Sequence, residues 1–470
     1  MRLSAKHNQI DIFFNEFSGG LNSDIAENIA QNELSILTNF EYDTKTGALK
    51  TRGGLRKLLE LPDDITAMHY LPALNALLVT TTSDIFIYTE ADGLKKMGSL
   101  AGNKIPDITI WNDKFLVASG GNLQEVDLEY VTDLGIQADI VGVTNGRVMV
   151  AREGYDYITF SGVGDETNWN VTGNDIDAVE IAVGYKEGGN ITNAVIFQKD
   201  IVVFKDNNKI YRIVNFYPDW YVQQIGFGDT CISRKSAYQL GDRIIFLGKT
   251  GLKNIIPTAG YDELSIRDFD NKIWNELSSF IDIVDHAELK WVESDRQLWV
   301  ILANNRKSYI YNIQYNIENG KWSIFEYPKP VKCVESDGIS KTFIAIDNII
   351  YIKDPFSDDN GIPVEAKIAT KAIPARNQYL LKRCKIFYSQ TQQQEAVIEI
   401  DSFKKTIALQ PTEIAVSDTD IASQDEDPAR NWNQQAIAFR ANKRISKAQV
   451  KLTVQKKCVI HGFLLTIAEV

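Results

Sequence analysis

Cysteine, histidine and methionine are scarce, with four of each in 470 residues. Cys231, Cys333, Cys384 and Cys458 have no close pair. That excludes the clustered spacing of a zinc site or a disulfide framework, and predicts buried or half-buried thiols in a chain made in a reducing cytoplasm. His7, His69, His286 and His461 are equally scattered, with no HxxxH or HExxH, so no metal centre and no histidine catalyst is expected. No run approaches the roughly 20 apolar residues that a membrane-crossing helix needs. The opening MRLSAKHNQIDIFF holds no apolar core behind its charges, so no secretory signal is expected. Positive charge is also short. The 62 acidic and 50 basic side chains leave -12, which argues against a surface that is a nucleic-acid footprint throughout. Gly-x-Ser-x-Gly, P-loop and dinucleotide fingerprints are missing, as are WD and Gly-His repeat signatures. The expectation is therefore no catalytic residue, no cofactor and no metal.

What is present is one hairpin, written many times. Residues 191–214, ITNAVIFQKDIVVFKDNNKIYRIV, read as strand, tight break, strand, polar turn, strand, the form of an antiparallel meander. Alone it could not bury its apolar face. Similar turn–strand–turn–strand segments occupy residues 73–89, 111–127, 144–160, 197–213, 240–256, 294–311 and 340–353, starting roughly 33 to 54 residues apart. Repeats of that size suggest propeller blades. The expected fold is all-β: an N-terminal arm and lead-in strands over 1–60, a β-propeller over 61–354, and a C-terminal β-sandwich-like domain over 355–470 that stands alone or packs with the N-terminal segment. Seven hairpins give seven blades, or six if the first and last complete one blade between them.

Within this plan, residues 261–283 read as an amphipathic helix, with Ile273, Leu277, Phe280 and Ile281 at helical spacing and residues 268–272 as its polar cap. The longer connections 169–190 and 216–234 are insertions or outer strands. In the second, Phe216, Tyr217, Trp220, Tyr221 and Phe227 form either an exposed partner patch or an outer strand packed between blades. The turn cluster 354–361 does not match a calcium-loop spacing. From Gly361 onward there are 16 basic and 11 acidic residues, so the propeller carries the acid. An acidic loop covers 418–427. The basic residues Arg440, Lys443, Arg444, Lys447, Lys451, Lys456 and Lys457 read equally as a DNA-phosphate face, a solvated strand face, or a face docked on an acidic neighbour.

Two segments carry a family likeness. The first runs SGGLN at 18–22, then small acidic and polar residues, Asn39-Phe40, a turn ending in Gly47, and Leu49-Lys50-Thr51-Arg52-Gly53-Gly54. Gly19, Gly20, Leu21, Asn22, Asn39, Leu49, Arg52, Gly53 and Gly54 are its points of match. The second is TFSGVGDETNWN at 159–170, with Phe160, Ser161, Gly164, Asp165, Asn168 and Trp169. In order and plan the chain resembles the tail nozzle, or tail accessory ("DNA stabilisation"), proteins of short-tailed phages. That resemblance implies a structural virion protein, not an enzyme. It implies a homo-hexameric ring below the portal–adaptor stack that closes the DNA channel, attaches a tail fibre, spike or needle, and takes part in phage assembly and DNA ejection. Its partners would be further copies of itself, the connector proteins, the spike or needle and packaged DNA, with no membrane, in the virion tail. The residues also have a plain physical account: glycines give positive φ at strand ends, and Asp165 caps a turn pinned by an indole. The alternative is a glycan-binding propeller or depolymerase. Against it, Ser161 is followed by Gly162-Val163 instead of the sialidase-type Ser-x-Asp-x-Gly-x-Thr-Trp box, and no other hairpin repeats that box.

Overall fold

The computed structural model describes residues 9–42, 47–215, 220–258, 263–284, 286–313, 316–355, 358–412 and 435–469. The chain divides into two compact units. Unit 1 is Met1–Arg56, Tyr309–Pro328 and Asp354–Val470; unit 2 is Lys57–Ser308 and Lys329–Lys353. Unit 2 has 27 basic and 39 acidic side chains, so the whole net charge of -12 sits there, while unit 1 has 23 of each.

Unit 2 is a seven-bladed propeller. Its first strands are Ile65–Leu71, Asp107–Trp111, Ile140–Thr144, Ile191–Phe197, Ala237–Leu240, Ala287–Val292 and Cys333–Ser336. Each contacts the next, and the last contacts the first, so the circle closes. Blades 1 to 5 are antiparallel four-stranded sheets in chain order. All seven hairpins anticipated from sequence are the middle strands of blades. They were the loudest signal because the second strand of a blade is covered on both faces: Ala76–Thr81, Arg147–Ala151, Asp200–Lys205, Arg243–Gly248, Gln297–Leu302 and Thr342–Ile346 are buried at every position. Their turns have the left-handed residues that tight hairpins need. Asn112 and Asp113 lie at φ 48° and 58°, and Asn145 and Gly146 at 49° and 69°.

The six-blade alternative is wrong. The first and last hairpins do not share a blade. Blade 7 takes its fourth strand from Gly54–Glu60, on the far side of the chain. Leu61 N–H donates to Asn348 O at 2.8 Å and Ile65 N–H to Asp347 O at 2.9 Å, which fastens the seam. An apolar cluster of Leu61, Ile65, Met68, Leu77, Val79, Phe86, Cys333, Phe343, Ala345 and Ile350 fills the space between blades 7 and 1. Both long connections contain outer strands: Val179–Ala182 completes blade 3 and Trp220–Phe227 completes blade 4. The helix is shorter than expected. Leu264–Asp268 is the outer strand of blade 5, pairing with Gly251–Pro257, and only Trp274–Ile281 is helical, with Leu277 and Ile281 buried. Propeller closure claims the first half of that amphipathic run for a sheet.

Unit 1 has two sheets. In one, the order is Gln435–Ala448, Ile373–Ser389, Val459–Glu469, Leu49–Thr51 and Phe40–Tyr42, with Gln9–Phe14 also on Val459–Glu469. In the other, Lys321–Glu326, Glu33–Thr38, Ala366–Thr370, Val450–Val454, Gln394–Ile400 and Phe403–Leu409 follow one another. Alternation sets the core: Leu381, Cys384, Ile386 and Tyr388 are buried, while Lys382, Arg383, Lys385 and Phe387 are not. The N-terminal segment packs on the C-terminal strands: Gln9–Phe14 pairs antiparallel with Val459–Glu469, Ile12 opposite Leu465. One expectation changes here. Residues 309–328, expected in the propeller, cluster with unit 1, because Ile324 pairs in parallel with Thr38. The turn residues 44–46, Phe216, Tyr217, residues 261–262 and the acidic loop 418–427 lie outside the described residues.

Candidate functional site

The sequence signature of the lead-in turns out to be a buried junction inside unit 1. Arg52 is 1% exposed, and all five of its donors are used. Nε donates to Asn39 Oδ1 at 2.8 Å, Nη1 to Gly53 O and Asp359 Oδ1, both at 2.8 Å, and Nη2 to Glu326 O at 2.9 Å and Asp359 Oδ2 at 2.6 Å. The guanidinium lies 4.3 Å from the Tyr327 ring centre. Only the planar fork of arginine can hold a carboxylate side-on while reaching three further acceptors. Asp359, in the turn cluster 354–361, is thus the counter-ion of Arg52. Gly53 is buried beside it and Gly54 opens the strand that runs to blade 7. Gly19 and Gly20 are steric: a Cβ on Gly19 would stand 2.3 Å from Glu33 Cγ, and Gly20 has φ 68° with Lys321 Cβ 3.0 Å from an added Cβ. Leu21 is buried, and Asn22 Nδ2 donates to Glu33 Oε2 at 2.9 Å. The second signature segment is also a turn. Asp165 accepts from Thr167 N at 2.9 Å and Thr167 Oγ1 at 2.6 Å, and Trp169 packs, half-buried, on the core between blades 2 and 3.

The propeller axis carries a cluster of buried and half-buried titratable groups that no local pattern would bring together. Lys290 of blade 6 donates to Glu335 of blade 7 at 2.6 Å, and His69 Nδ1 of blade 1 sits 3.2 Å from the same carboxylate oxygen. Burial alone would raise the Glu335 pKa, but Lys290 and His69 outweigh it and hold the carboxyl down at about 2. Glu288, two residues before Lys290 on the same strand face, is pushed the other way by burial, and its Oε2 has no hydrogen-bond partner. Burial, with Lys235 and Arg234, pushes His286 down to about 3. Arg234 reaches from the lead-in of blade 5 to the Ile105 carbonyl before blade 2. These contacts join blades 6, 7 and 1 across the closing seam, and tie blade 5 to the start of blade 2. Chemically, a carboxyl held ionised near a carboxyl held towards its neutral form is the contrast that acid–base chemistry uses. The signal was invisible in sequence because propeller geometry alone makes residues 69, 235, 288, 290 and 335 neighbours.

Of the aromatic patch, Trp220 is packed: its ring is 4.5 Å from Phe160, between blades 3 and 4. Tyr221 (57% exposed) and Phe227 (82% exposed) remain outside. Phe227 edges a groove between the outer strands of blades 4 and 5, lined also by Lys253, Arg267 and Asp268.

The seven basic residues near the C-terminus do not form one face. Lys447 lies 3.7 Å from Glu27, and Lys456 donates to Gln393 O at 3.3 Å. Lys457 donates to Pro355 O, and burial pulls its pKa down to about 8. Lys451 lies on the other sheet, opposite Glu399. Arg440, Lys443 and Arg444 are exposed on the edge strand Gln435–Ala448. There they meet three residues not singled out from sequence: register sets Arg440 opposite Arg383, and Lys382 and Lys385 flank Arg383. A sequence-level clue existed in Lys382-Arg383-x-Lys385, but only strand pairing brings the two basic runs together.

All four cysteines are free and buried. Burial pushes Cys231, Cys384 and Cys458 up to about 12, and Cys333 higher still. At pH 8 a disulfide reagent should therefore label none of the four thiols in the native protein within minutes and all four in urea. Rapid labelling of any native cysteine would contradict the packing described.

No protein-family model matches the chain, and no curated protein sequence does. Three solved structures show what it is similar to. The Swd1 (Cps50) β-propeller domain of Myceliophteria thermophila matches over 64% of this chain and 99% of its own, at 12% identity and a TM-score of 0.45. The N-terminal domain of Nup159 matches over 67% and 98%, at 10% identity and 0.42. BBS1N, solved in complex with ARL6DN, matches over 66% and 99%, at 13% identity and 0.43. These likenesses concern fold alone. By its own closed circle of seven sheets, the chain is a β-propeller protein with a second, sandwich-like β unit.

Proposed function

We propose that this protein is a structural subunit of a short phage tail: a homo-hexameric ring below the portal–adaptor stack that closes the DNA channel and carries a tail fibre, spike or needle. The observation that carries this reading is the lead-in signature over residues 18–54. Its order resembles the nozzle family, and its residues serve one purpose a building part requires: Arg52 gathers Asn39, Glu326 and Asp359 into a fixed junction of three separate chain segments. A propeller whose last blade is completed from the other end of the chain hides its edges and resists deformation, which also suits a load-bearing role. The net charge of -12 on unit 2 would repel DNA and keep a passing genome from sticking.

A mixing experiment tests this. Alone, the chain should sediment as a monomer; with purified portal–adaptor rings it should join them in six copies, seen by negative-stain imaging. Failure to bind adaptor rings from any short-tailed phage, together with unaided cleavage of capsular polysaccharide, would sink the proposal.

A further inference from the structure

Among the described residues, the two-stranded ribbon of unit 1 formed by Ile373–Ser389 and Gln435–Ala448 carries positive charge on its outer face that no acidic side chain pairs. Leu381, Cys384 and Ile386 mark the inner face; the bulge between Leu381 and Arg383 turns Lys382 and Arg383 both outward, and Lys385 follows two residues on. Arg383 stands directly opposite Arg440, and Arg444 opposite Leu380. Like charges directly across a strand pair are destabilising. Among the described residues, Lys382, Arg383, Lys385, Arg440 and Arg444 form no ion pair, although the chain holds 62 acidic residues. The acids at the margin are engaged elsewhere: Asp11 accepts from Thr466 Oγ1 at 2.6 Å, and Asp401 accepts from Ser446 N at 2.7 Å.

Charged residues on an edge strand are a common guard against edge-to-edge pairing. That account covers Arg440 and Arg444 but not Lys382, Arg383 and Lys385. Their strand is interior to the sheet, paired with Gln435–Ala448 on one side and Val459–Glu469 on the other. Beside the cations, the same face shows aromatic surface. Phe387 lies two residues beyond Lys385, and its ring is 5.6 Å from Phe13, which is 41% exposed.

We propose that this face binds the sugar–phosphate backbone of a nucleic acid, single-stranded in preference to duplex. Residues two apart on a strand are about 6.7 Å apart, close to the separation of neighbouring phosphates on one chain, so Arg383 and Lys385 reach successive phosphates and the opposed Arg440 and Arg444 widen the track. The Phe13–Phe387 pair offers a stacking surface at one end, and a basic track with aromatic rings is how single strands are held without sequence preference. An acidic protein would satisfy the charges but leave the aromatic pair unexplained. The inference is independent of the tail role: a chain that joins adaptor rings yet ignores nucleic acid loses only this proposal.

The experiment is fluorescence anisotropy of a labelled 20-nucleotide oligo-dT, with a 20-bp duplex and poly-L-glutamate as comparators, at 50 and 200 mM salt. Wild-type protein should bind oligo-dT saturably and lose about 100-fold in affinity across that salt range if about five phosphates are neutralised. The triple variant Arg383→Gln/Arg440→Gln/Arg444→Gln, all exposed positions, should keep its melting temperature, bind at least tenfold more weakly and show less than half the salt slope. Phe387→Ser should weaken oligo-dT binding with the slope unchanged. Absence of saturable binding at 50 mM salt, or equal binding by the triple variant, would overturn the proposal. So would tighter binding of polyglutamate than of oligo-dT, which would give the face to an acidic protein instead.

Discussion

Arg52→Ala should cost about 3–5 kcal/mol in the stability of unit 1, the range for removing one partner of a buried, hydrogen-bonded ion pair. The change strands the Asp359 carboxylate, which is 5% exposed, and releases the Asn39 side chain and the Glu326 carbonyl from their shared donor. Arg52→Lys should recover little, since an ammonium is a point charge with three donors and cannot reproduce a fork that makes five bonds in one plane. The double variant Arg52→Met/Asp359→Leu should recover most of the loss, because the charge and its desolvation leave together. Hydrogen exchange locates the effect. Amides of Lys321–Glu326 and Ala366–Thr370 should exchange faster, while those of Ala76–Thr81 in the propeller should not. A loss below about 1 kcal/mol for Arg52→Ala would mean that water replaces the guanidinium and that the junction is not what holds these segments.

Glu335→Gln is the second large effect, and it belongs to unit 2. Glu335 is 6% exposed and answers both Lys290 and His69, so neutralising it leaves an ammonium whose side chain is only 14% exposed without its counter-charge, again at a cost of about 3–5 kcal/mol. The pH dependence gives a signature that a packing defect would not. The folded carboxyl titrates at about 2, below its ordinary value of 4.5. A depressed folded pKa adds stability that is fully present above the unfolded value and is lost as pH falls through the folded one. The gap between wild type and Glu335→Gln in urea titrations should therefore be widest near neutral pH, begin to close below about 4.5 and be nearly gone by about pH 2. A gap independent of pH would assign the loss to shape and not to charge.

The same two sites show what could be read in advance. Seven hairpins were legible because blade middles are covered on both sides, so Ile244-Ile245-Phe246-Leu247 and Leu298-Trp299-Val300-Ile301 are continuous apolar runs bounded by turns. First and outer strands are harder to read, since one side meets the axis or solvent and their composition is mixed; Leu264–Asp268, a strand, has the pattern of a helix for that reason. Arg52 was singled out from sequence, but as part of a motif, and its chemistry was not legible because Asp359 lies 307 residues away. Glu335 and Lys290 were not singled out at all. Neither has a local feature that separates it from the other charged residues of a chain in which those make up 24%. The basic residues were read as one face, and strand pairing divided them.

Composition and local pattern by themselves determined the strand-rich class, the repeat and its approximate period, and the thiols' lack of any pairing scheme, because these follow from turn chemistry and from apolar runs a few residues long. Tertiary structure decided the blade number, the strand that fastens blade 7, the ion pair at the axis, the partner of Arg52 and the cationic track beside Phe387. Each depends on residues dozens to hundreds of positions apart arriving at one point, and a linear pattern holds no information about which distant partner a buried charge will meet.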